Sequence, residues 1–155
     1  MIQVTRLDLA DARVLLDGAK AKAEEIGVPM CIAITDESGN LLAFERMEGG
    51  KVTSITIAID KSFTASGAKK ATHDYGSVSQ PGAPAYGIGS AIGGRLMVVA
   101  GGLPVMAGGD CVGGIGISSG TPGQDREVAE AGIAAFEATM STVGAWLPLP
   151  ACFTK

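Results

Sequence analysis

Lys61 is the most unusual of the few residues in this sequence that carry a group able to do chemistry. It falls within a stretch at 54–72 that is predicted to be a helix, where Ile57, Ala58 and Thr64 would be its neighbours. A lysine whose stem lies on such a surface either extends its ammonium to water or directs it into a polar pocket. In a pocket, the amine can hold an anion, act as a base or form an imine. Lys61 is therefore a candidate catalytic and ligand-binding residue.

The stretch GISSGTPGQD, residues 116–125, combines glycines with hydroxyl, amide and carboxyl side chains where a strand changes to a helix. A P-loop requires a lysine after its last glycine, and no lysine follows these glycines. A dinucleotide-binding fingerprint requires three glycines, and Ser119 stands where the third would follow Gly114 and Gly116. The spacing therefore excludes both phosphate-binding motifs.

What remains in this stretch is the N-terminus of a helix predicted to begin at Thr121, with free backbone amides and the positive end of the helix dipole. These groups lie next to Ser118, Ser119, Gln124 and Asp125 and could bind a carboxylate or propionate. Alternatively, Thr121 and Gln124 form a capping box that satisfies the amides within the protein. The sequence leaves both interpretations open.

His73 is the only histidine, which restricts the possible chemistry. A site with three histidine ligands is impossible, and no metal site is predicted. The surrounding sequence KKATHDYG indicates a solvated helix C-terminus, where a cation suits the helix dipole. Haem ligation and proton transfer are alternative roles. Together with Lys61 and Asp125, His73 is a candidate catalytic acid or base.

Arg46 and Tyr86 complete the candidate ligand-binding residues. In a strand predicted at 41–47, Arg46 would share a face with Phe44, and an arginine held there can bind a carboxylate through two parallel hydrogen bonds. Tyr86 lies in the Gly-, Ser- and Pro-rich segment 74–87, which is long for a loop in a compact domain and is therefore expected to be functional. Tyr86 is a candidate contact for a tetrapyrrole.

The composition argues against several classes of partner. The formal net charge is −4 and the pI is about 4.9, so no basic surface is expected to hold nucleic acid or an anionic membrane. No stretch reaches the roughly 20 apolar residues that span a bilayer, and charged residues interrupt the N-terminal segment, so a cytoplasmic protein is expected. The three cysteines are odd in number and far apart, which argues against a disulfide framework and a zinc site.

Hydrophobic periodicity and turn residues predict the elements that must position these side chains. Helices are predicted at 9–26, 54–72 and from Thr121, and strands at 30–35, 41–47, 96–100, 103–107 and 111–118. Closely spaced hairpins predict an α/β (α+β) fold with a five-stranded antiparallel sheet flanked by helices. One domain is expected over 1–155, with 144–155 as a C-terminal tail that packs on a neighbouring subunit.

Four segments of the chain resemble the GlcG/HbpS family, also described as haem-degrading or domain-of-unknown-function 336 proteins. They are DESGNLLAFERMEGG, AIDKSFTASGAKKAT, GGLPVMAGGDCVGGIGISSGTPGQD and EVAEAGIAAF. They occur in family order and cover nearly the whole chain. The residues that carry the resemblance at candidate sites are Arg46, Lys61, Gly101, Gly102, Pro104, Gln124 and Asp125. The resemblance implies a five-stranded antiparallel sheet with flanking helices, a profilin-like layering, and assembly into homo-oligomers.

The activities implied by this resemblance are more varied than the fold. Family members include a secreted haem-binding redox sensor, the C-terminal domain of a corrinoid adenosyltransferase, and small proteins encoded beside glycolate or aromatic-degradation enzymes. No export signal is predicted, which separates the chain from the secreted haem sensor, and the absence of histidine from the first predicted helix argues against haem ligation of the corrinoid-associated type. The segments GVPMCIAI and GGKVTSITIAIDKSFTASGAKKATH resemble most the small members that accompany aromatic ring-cleavage pathways.

The leading hypothesis is a small-molecule-binding homo-oligomer with a pocket between the second helix, the loop that follows it and the turn at 116–125. Lys61 and Arg46 would attract the carboxylates of a small organic acid, while Gln124 and Asp125 would orient it. Any catalysis would be isomerisation, hydration or hydrolysis in a catabolic pathway, and enzyme status stays open. The main alternative is a haem- or corrinoid-binding accessory protein without turnover. A third hypothesis is an accessory protein that binds other proteins through its C-terminal tail.

Overall fold

The structure of the protein is a computed structural model that describes residues 1–142. The predicted tail at 144–155 lies outside the described residues. The helices are α1 (Leu9–Glu25), α2 (Ser54–Ala68), α3 (Thr72–Val78), α4 (Ala91–Gly94) and α5 (Pro122–Thr142), with a 3-10 turn at Ile88–Ser90. The strands are β1 (Cys31–Asp36), β2 (Leu41–Arg46), β3 (Gly102–Ala107) and β4 (Asp110–Ser118). Within residues 1–142, no helix combines the length and the apolar character needed to cross a bilayer.

The strands form one antiparallel sheet in the order β2-β1-β4-β3. The two predicted hairpins are confirmed: β1 pairs with β2, and β3 pairs with β4. The two central strands, β1 and β4, are buried almost from end to end. Such continuous burial is expected for strands that are covered by helices on both faces.

The sheet has four strands rather than the five predicted. The prediction of a strand at 96–100 is wrong. The backbone of this segment bonds to side chains of two helices instead of to a neighbouring strand. Thr64 Oγ1 accepts a hydrogen bond from the Met97 amide at 2.9 Å, and Thr72 Oγ1 donates to Val99 O at 2.6 Å. Because the two hydroxyls satisfy these backbone groups, an apolar run typical of a strand is held as a loop.

The helix predicted at 54–72 is also shorter than expected. α2 ends at Ala68 because Lys69 adopts a left-handed conformation with φ of 53°, and the Lys69 amide bonds back to the last turn of the helix. The chain then begins α3 at Thr72. The first part of the segment predicted as a loop at 74–87 is therefore helical.

Helices cover both faces of the sheet. α1 and α5 pack together on one face, where the main hydrophobic core includes Ile115 and Ile117 of β4. α2 packs on the opposite face, where β4 presents glycines. A Cβ at Gly116 would lie only 2.1 Å from Ala58 O and 2.4 Å from Ser62 N. The missing side chain therefore lets the backbone of α2 approach the sheet closely, which brings the lysine of α2 to the end of β4.

Candidate functional site

The ammonium group of Lys61 is buried between α2, the end of β4 and the first turn of α5. Nζ donates to Ile117 O at 2.8 Å and lies 2.8 Å from Asp125 Oδ2. The side chains of Lys61 and Asp125 are only 1% and 4% exposed. The second carboxylate oxygen, Asp125 Oδ1, accepts a hydrogen bond from Gly120 N at 2.9 Å. Both buried charges are therefore paired and hydrogen-bonded, as buried ions in proteins generally are.

Gly101 and Gly120 leave the space that this ion pair occupies. Gly101 has a φ of +116°, and a Cβ at this position would lie 2.9 Å from Lys61 Nζ and 2.7 Å from Asp125 Cβ. A Cβ at Gly120 would lie 3.1 Å from Asp125 Oδ1. Gly101 O also accepts a hydrogen bond from Ile117 N at 2.9 Å, which holds the glycine beside the ammonium. A larger residue at 101 would collide with the pair.

Burial lowers the pKa of Lys61 below its ordinary value, because a charged ammonium loses hydration in the interior. The Asp125 carboxylate favours the charged form but offsets only part of this effect. Lys61 therefore releases its proton more readily than an exposed lysine does. A neutral amine at this position can act as a base or as a nucleophile.

An open cleft of about 350 Å³ lies directly beside the ion pair. Its volume falls at the lower end of the range of about 300–1,000 Å³ that is typical of small-molecule sites. The cleft is lined by Lys51, Thr53, Ser54, Ile57, Lys61, Met97, Val99, Ser118, Ser119, Gly120, Pro122 and Asp125. This lining combines apolar side chains with hydroxyl, ammonium and carboxylate groups, so it can hold a small ligand that carries a polar group.

Three predicted site residues, Lys61, Ser118 and Asp125, come together at this cleft. The sequence predicted a pocket between the second helix and the turn at 116–125, but it singled out none of the other lining residues as a site residue. Lys51 belongs to no motif, yet its amide donates to Ser119 Oγ at 3.1 Å and joins the start of α2 to the end of β4. Ser119 lies within the motif at 116–125, and its φ of 116° is unusual for a residue other than glycine. Its place in that motif was the signal that could have identified it.

The amides of Thr121 and Gln124 at the start of α5 are hydrogen-bonded within the protein. Thr121 N donates to Gln124 Oε1 at 2.9 Å, and Gln124 N donates to Thr121 Oγ1 at 3.3 Å. The preceding amide, Gly120 N, is bound by the Asp125 carboxylate. The sequence left open whether this helix end binds a ligand or caps itself, and the structure shows the capping box. Gln124 therefore belongs to the cap and does not line the cleft.

Arg46, His73 and Tyr86 also lie away from the cleft. Arg46 is exposed at the end of β2, where Nη1 donates to Gly50 O at 3.0 Å. Tyr86 is 69% exposed. His73 lies in the first turn of α3 instead of at the end of α2, and its Nε2 lies 3.7 Å from Asp74 Oδ1. The His73 Nδ1 atom is buried and has no hydrogen-bond partner among residues 1–142.

Arg95 holds one wall of the cleft against α2. Its Nε donates to Asp60 Oδ1 at 2.8 Å, and its guanidinium lies 3.8 Å from the centre of the Phe63 ring. These contacts combine an ion pair with a cation–π interaction. Because Met97 and Val99 follow Arg95 within four residues and line the cleft, the anchor at Arg95 positions that wall.

The sequence is similar to bacterial proteins. It is 37% identical over 134 residues to an uncharacterised 15.0 kDa protein from the dhaT-dhaS intergenic region of Citrobacter freundii. This match covers 86% of this chain and 94% of that protein. It is also 37% identical over 129 residues to the corrinoid adenosyltransferase PduO of the same species. That match covers 83% of this chain and 38% of PduO, so it concerns one part of a longer protein.

Two solved structures share the fold. Klebsiella pneumoniae protein ORFY has a TM-score of 0.87 and 33% identity, covering 89% of this chain and 95% of that chain. A PduOC–haem complex has a TM-score of 0.82 and 34% identity, covering 84% of this chain and 95% of that chain. A family model described as haem-degrading protein HbpS-like matches residues 7–134. The chain therefore belongs to the HbpS-like family, the GlcG/HbpS family that its sequence motifs indicated.

Proposed function

We propose that this protein binds a tetrapyrrole, haem or a corrinoid, and does so without turnover. The observation that carries the proposal is the similarity to the PduOC–haem complex, which extends over 95% of that chain at 34% identity. Two relatives are described as corrinoid adenosyltransferases, which supports including corrinoids in the ligand class. The acidic charge of the chain does not oppose this ligand, because a macrocycle is held mainly by apolar contacts and axial ligation.

His73 is the residue best suited to ligate a tetrapyrrole metal. It is the only histidine, and its side chain is 32% exposed although Nδ1 is buried, so Nε2 is the nitrogen that can reach a metal at the surface. The segment after α3 exposes Tyr86 and Ile92, whose side chains could pack on a macrocycle. Met97, in the cleft, is a second side chain of a type that ligates haem iron. The bound metal would supply ligand-exchange and redox chemistry, and these residues would hold and orient the macrocycle.

Titration with hemin, and in parallel with cobalamin, tests the proposal. We expect a saturable spectral change with one of the two, which for hemin is a shifted Soret band. The substitution His73→Phe should abolish the shift, whereas Met106→Leu, at an exposed methionine of β3, should leave it unchanged. The absence of a saturable change with both compounds would overturn tetrapyrrole binding. A change that persists in both His73→Phe and Met97→Leu would overturn the two ligand assignments.

A second candidate function is the binding of a small organic acid in the cleft. Two lysines, Lys51 and Lys61, border the cleft, and the one carboxylate in its lining, Asp125, is already paired with Lys61. The net local charge is therefore positive, which favours an anionic ligand. Isomerisation, hydration or hydrolysis of such an acid, for example in aromatic catabolism, would use Lys61 and Asp125 as base and acid.

Calorimetric titration with small mono- and dicarboxylates tests this second function. We expect saturable binding that is weakened by Lys51→Met. Lys69→Asn is the matched control, because it removes an exposed positive charge away from the cleft and asparagine tolerates the left-handed backbone at 69. Equal affinity of the wild type and Lys51→Met would remove Lys51 from the site. The absence of binding for every acid would overturn the second function.

The proposal also includes a cytoplasmic homo-oligomer, supported by the assembly that the family resemblance implies. Size-exclusion chromatography with light scattering on the full chain is the direct test. A particle several times the mass of one chain is expected, and a monomer at micromolar concentration would overturn the proposed assembly.

A further inference from the structure

We propose that Lys61 forms a reversible covalent imine with small oxo acids, compounds that carry a ketone or aldehyde beside a carboxylate, and that Asp125 transfers the protons. This inference rests on the second candidate function, because the oxo acid must first bind in the cleft. It goes further than binding, since the ligand becomes bonded to the protein. It does not depend on tetrapyrrole binding.

The position of the Lys61 nitrogen suits this reaction. Lys61 is one of the residues that line the cleft, and its Nζ makes two hydrogen bonds, to Ile117 O and to Asp125 Oδ2. An ammonium has three donors, whereas a neutral amine has two N–H groups and a lone pair. After the proton has passed to Asp125, Ile117 O can still accept a hydrogen bond from the neutral amine. The lone pair becomes available to a carbonyl carbon in the cleft when the Asp125 hydroxyl turns from the amine to the incoming carbonyl oxygen.

The surroundings of the amine explain why an oxo acid fits better than a neutral carbonyl compound. Ser118 and Ser119 line the same cleft, and so does the exposed Lys51. A carboxylate next to the reacting carbonyl would be attracted by the Lys51 ammonium. Burial, which lowers the pKa of Lys61, increases the fraction of neutral amine available for the attack.

The proposed reaction balances without any oxidant, reductant or metal. The Lys61 ammonium first gives a proton to the Asp125 carboxylate, and the neutral amine then forms a C–N bond while the electron pair of the C=O bond moves to oxygen. A proton passes from the nitrogen to that oxygen, which gives a carbinolamine. Asp125 next protonates the hydroxyl, the C–O bond breaks and water leaves. As the C–O bond breaks, the nitrogen lone pair forms the second C–N bond and the Asp125 carboxylate is restored. The products are one protonated imine and one water molecule, and hydrolysis reverses the reaction.

Reductive trapping on the full chain tests this inference. The protein is incubated with pyruvate and sodium cyanoborohydride, and the modified residue is located by peptide mass spectrometry. We expect one reduced pyruvate adduct per chain, on the Lys61 peptide, with labelling that saturates as pyruvate increases. Lys61→Arg should reduce labelling to background, because arginine keeps the buried positive charge but is not a nucleophilic amine. Lys69→Asn should label as the wild type does.

Asp125→Asn provides a second test that does not remove the amine. If Asp125 transfers protons, this variant should form the adduct much more slowly than the wild type while circular dichroism shows an intact fold. Labelling of Lys69 or Lys70 as fast as Lys61, or no adduct in folded protein, would overturn the inference. So would adduct formation in Lys61→Arg equal to that in the wild type.

Lactate, which has the same carboxylate but no carbonyl, separates this inference from the function on which it rests. Reversible binding of both lactate and pyruvate without trapping would disprove the imine inference but support the organic-acid function. If neither acid binds and none is trapped, the imine inference fails, and the organic-acid function fails with it when the calorimetric series of mono- and dicarboxylates also shows no binding. Butanone, a neutral ketone, should be trapped less than pyruvate if Lys51 attracts the carboxylate, and equal trapping would overturn that role of Lys51.

Discussion

Lys61 and Asp125 are 64 residues apart in the sequence, yet their side chains form a buried ion pair with an Nζ to Oδ2 distance of 2.8 Å. The pair joins α2 to α5 across the end of β4, because Lys61 also donates to Ile117 O. Buried ion pairs contribute little net stability, but loss of one partner leaves the other charge unpaired in the interior. The pair therefore makes the structure around the cleft sensitive to substitution of either residue.

Lys61→Met should destabilise the protein by about 3–5 kcal/mol, because Asp125 would remain buried without its partner. The double variant Lys61→Met/Asp125→Asn should recover much of this loss, since an asparagine oxygen can still accept the hydrogen bond from Gly120 N. Urea unfolding of the two variants and the wild type measures both effects. A loss below about 1 kcal/mol in the single variant would be inconsistent with an ionised, buried Asp125.

The lowered pKa of Lys61 predicts a dependence of stability on pH. Between the folded-state pKa and the ordinary value of 10.5, the unfolded chain binds more protons than the folded protein. The free energy of unfolding contributed by Lys61 therefore rises with pH towards 10.5 and is lost as the pH falls through the folded-state pKa. Lys61→Arg, which does not lose its proton, is the reference variant.

The measured quantity is the difference in unfolding free energy between the wild type and Lys61→Arg from neutral to alkaline pH. Burial also raises the pKa values of Cys31 and Cys111 above their ordinary value of 9.0, so these thiols lower the free energy of unfolding at pH values above 9.0. This effect is common to both proteins and cancels in the difference. The difference should move in favour of the wild type as the pH rises. A constant difference would show that Lys61 titrates as an exposed lysine does.

Gly116→Ala should destabilise the protein by about 1–3 kcal/mol or more, because the new Cβ would meet the backbone of α2 at Ala58 and Ser62. Gly67→Ala is the matched control. Gly67 is an exposed glycine of α2 with open space at its Cβ position, so alanine there should stabilise the helix by about 0.5–1 kcal/mol. Thermal unfolding measures both, and equal effects would argue against close contact of α2 with the sheet.

Arg95→Ala should loosen the wall of the cleft that includes Met97. Asp60, whose side chain is only 9% exposed, would lose its partner, and the expected loss of stability is about 1–3 kcal/mol. Hydrogen exchange of the Met97 amide should become faster, since Arg95 no longer holds the segment on α2. Arg126→Ala removes an exposed pair with Glu130 and should change stability by no more than about 0.5 kcal/mol. Unchanged exchange at Met97 would disprove the anchoring role of Arg95.

Sequence patterns predicted part of the candidate site. Lys61 was a candidate because a charged residue on an apolar helical surface is unusual, and the motif at 116–125 contained Asp125, Ser118 and Ser119. Arg46 and Gln124 had equally suitable chemistry, but Arg46 lies on an exposed strand end and Gln124 caps its own helix. The type of a side chain shows what it can bind, whereas its partners in the fold show what it is free to bind.

Local patterns were sufficient to predict α1, α5, both hairpins, and the absence of a P-loop or dinucleotide fingerprint, because periodicity and turn chemistry depend on neighbours in the chain. Whether the apolar run at 96–100 forms a strand or a loop depended instead on the hydroxyls of Thr64 and Thr72. These hydroxyls bind the backbone groups that a fifth strand would have used. The pairing of Lys61 with Asp125 likewise required long-range packing. Contacts of this kind arise from the close approach of distant elements, here allowed by glycines, and no local pattern encodes them.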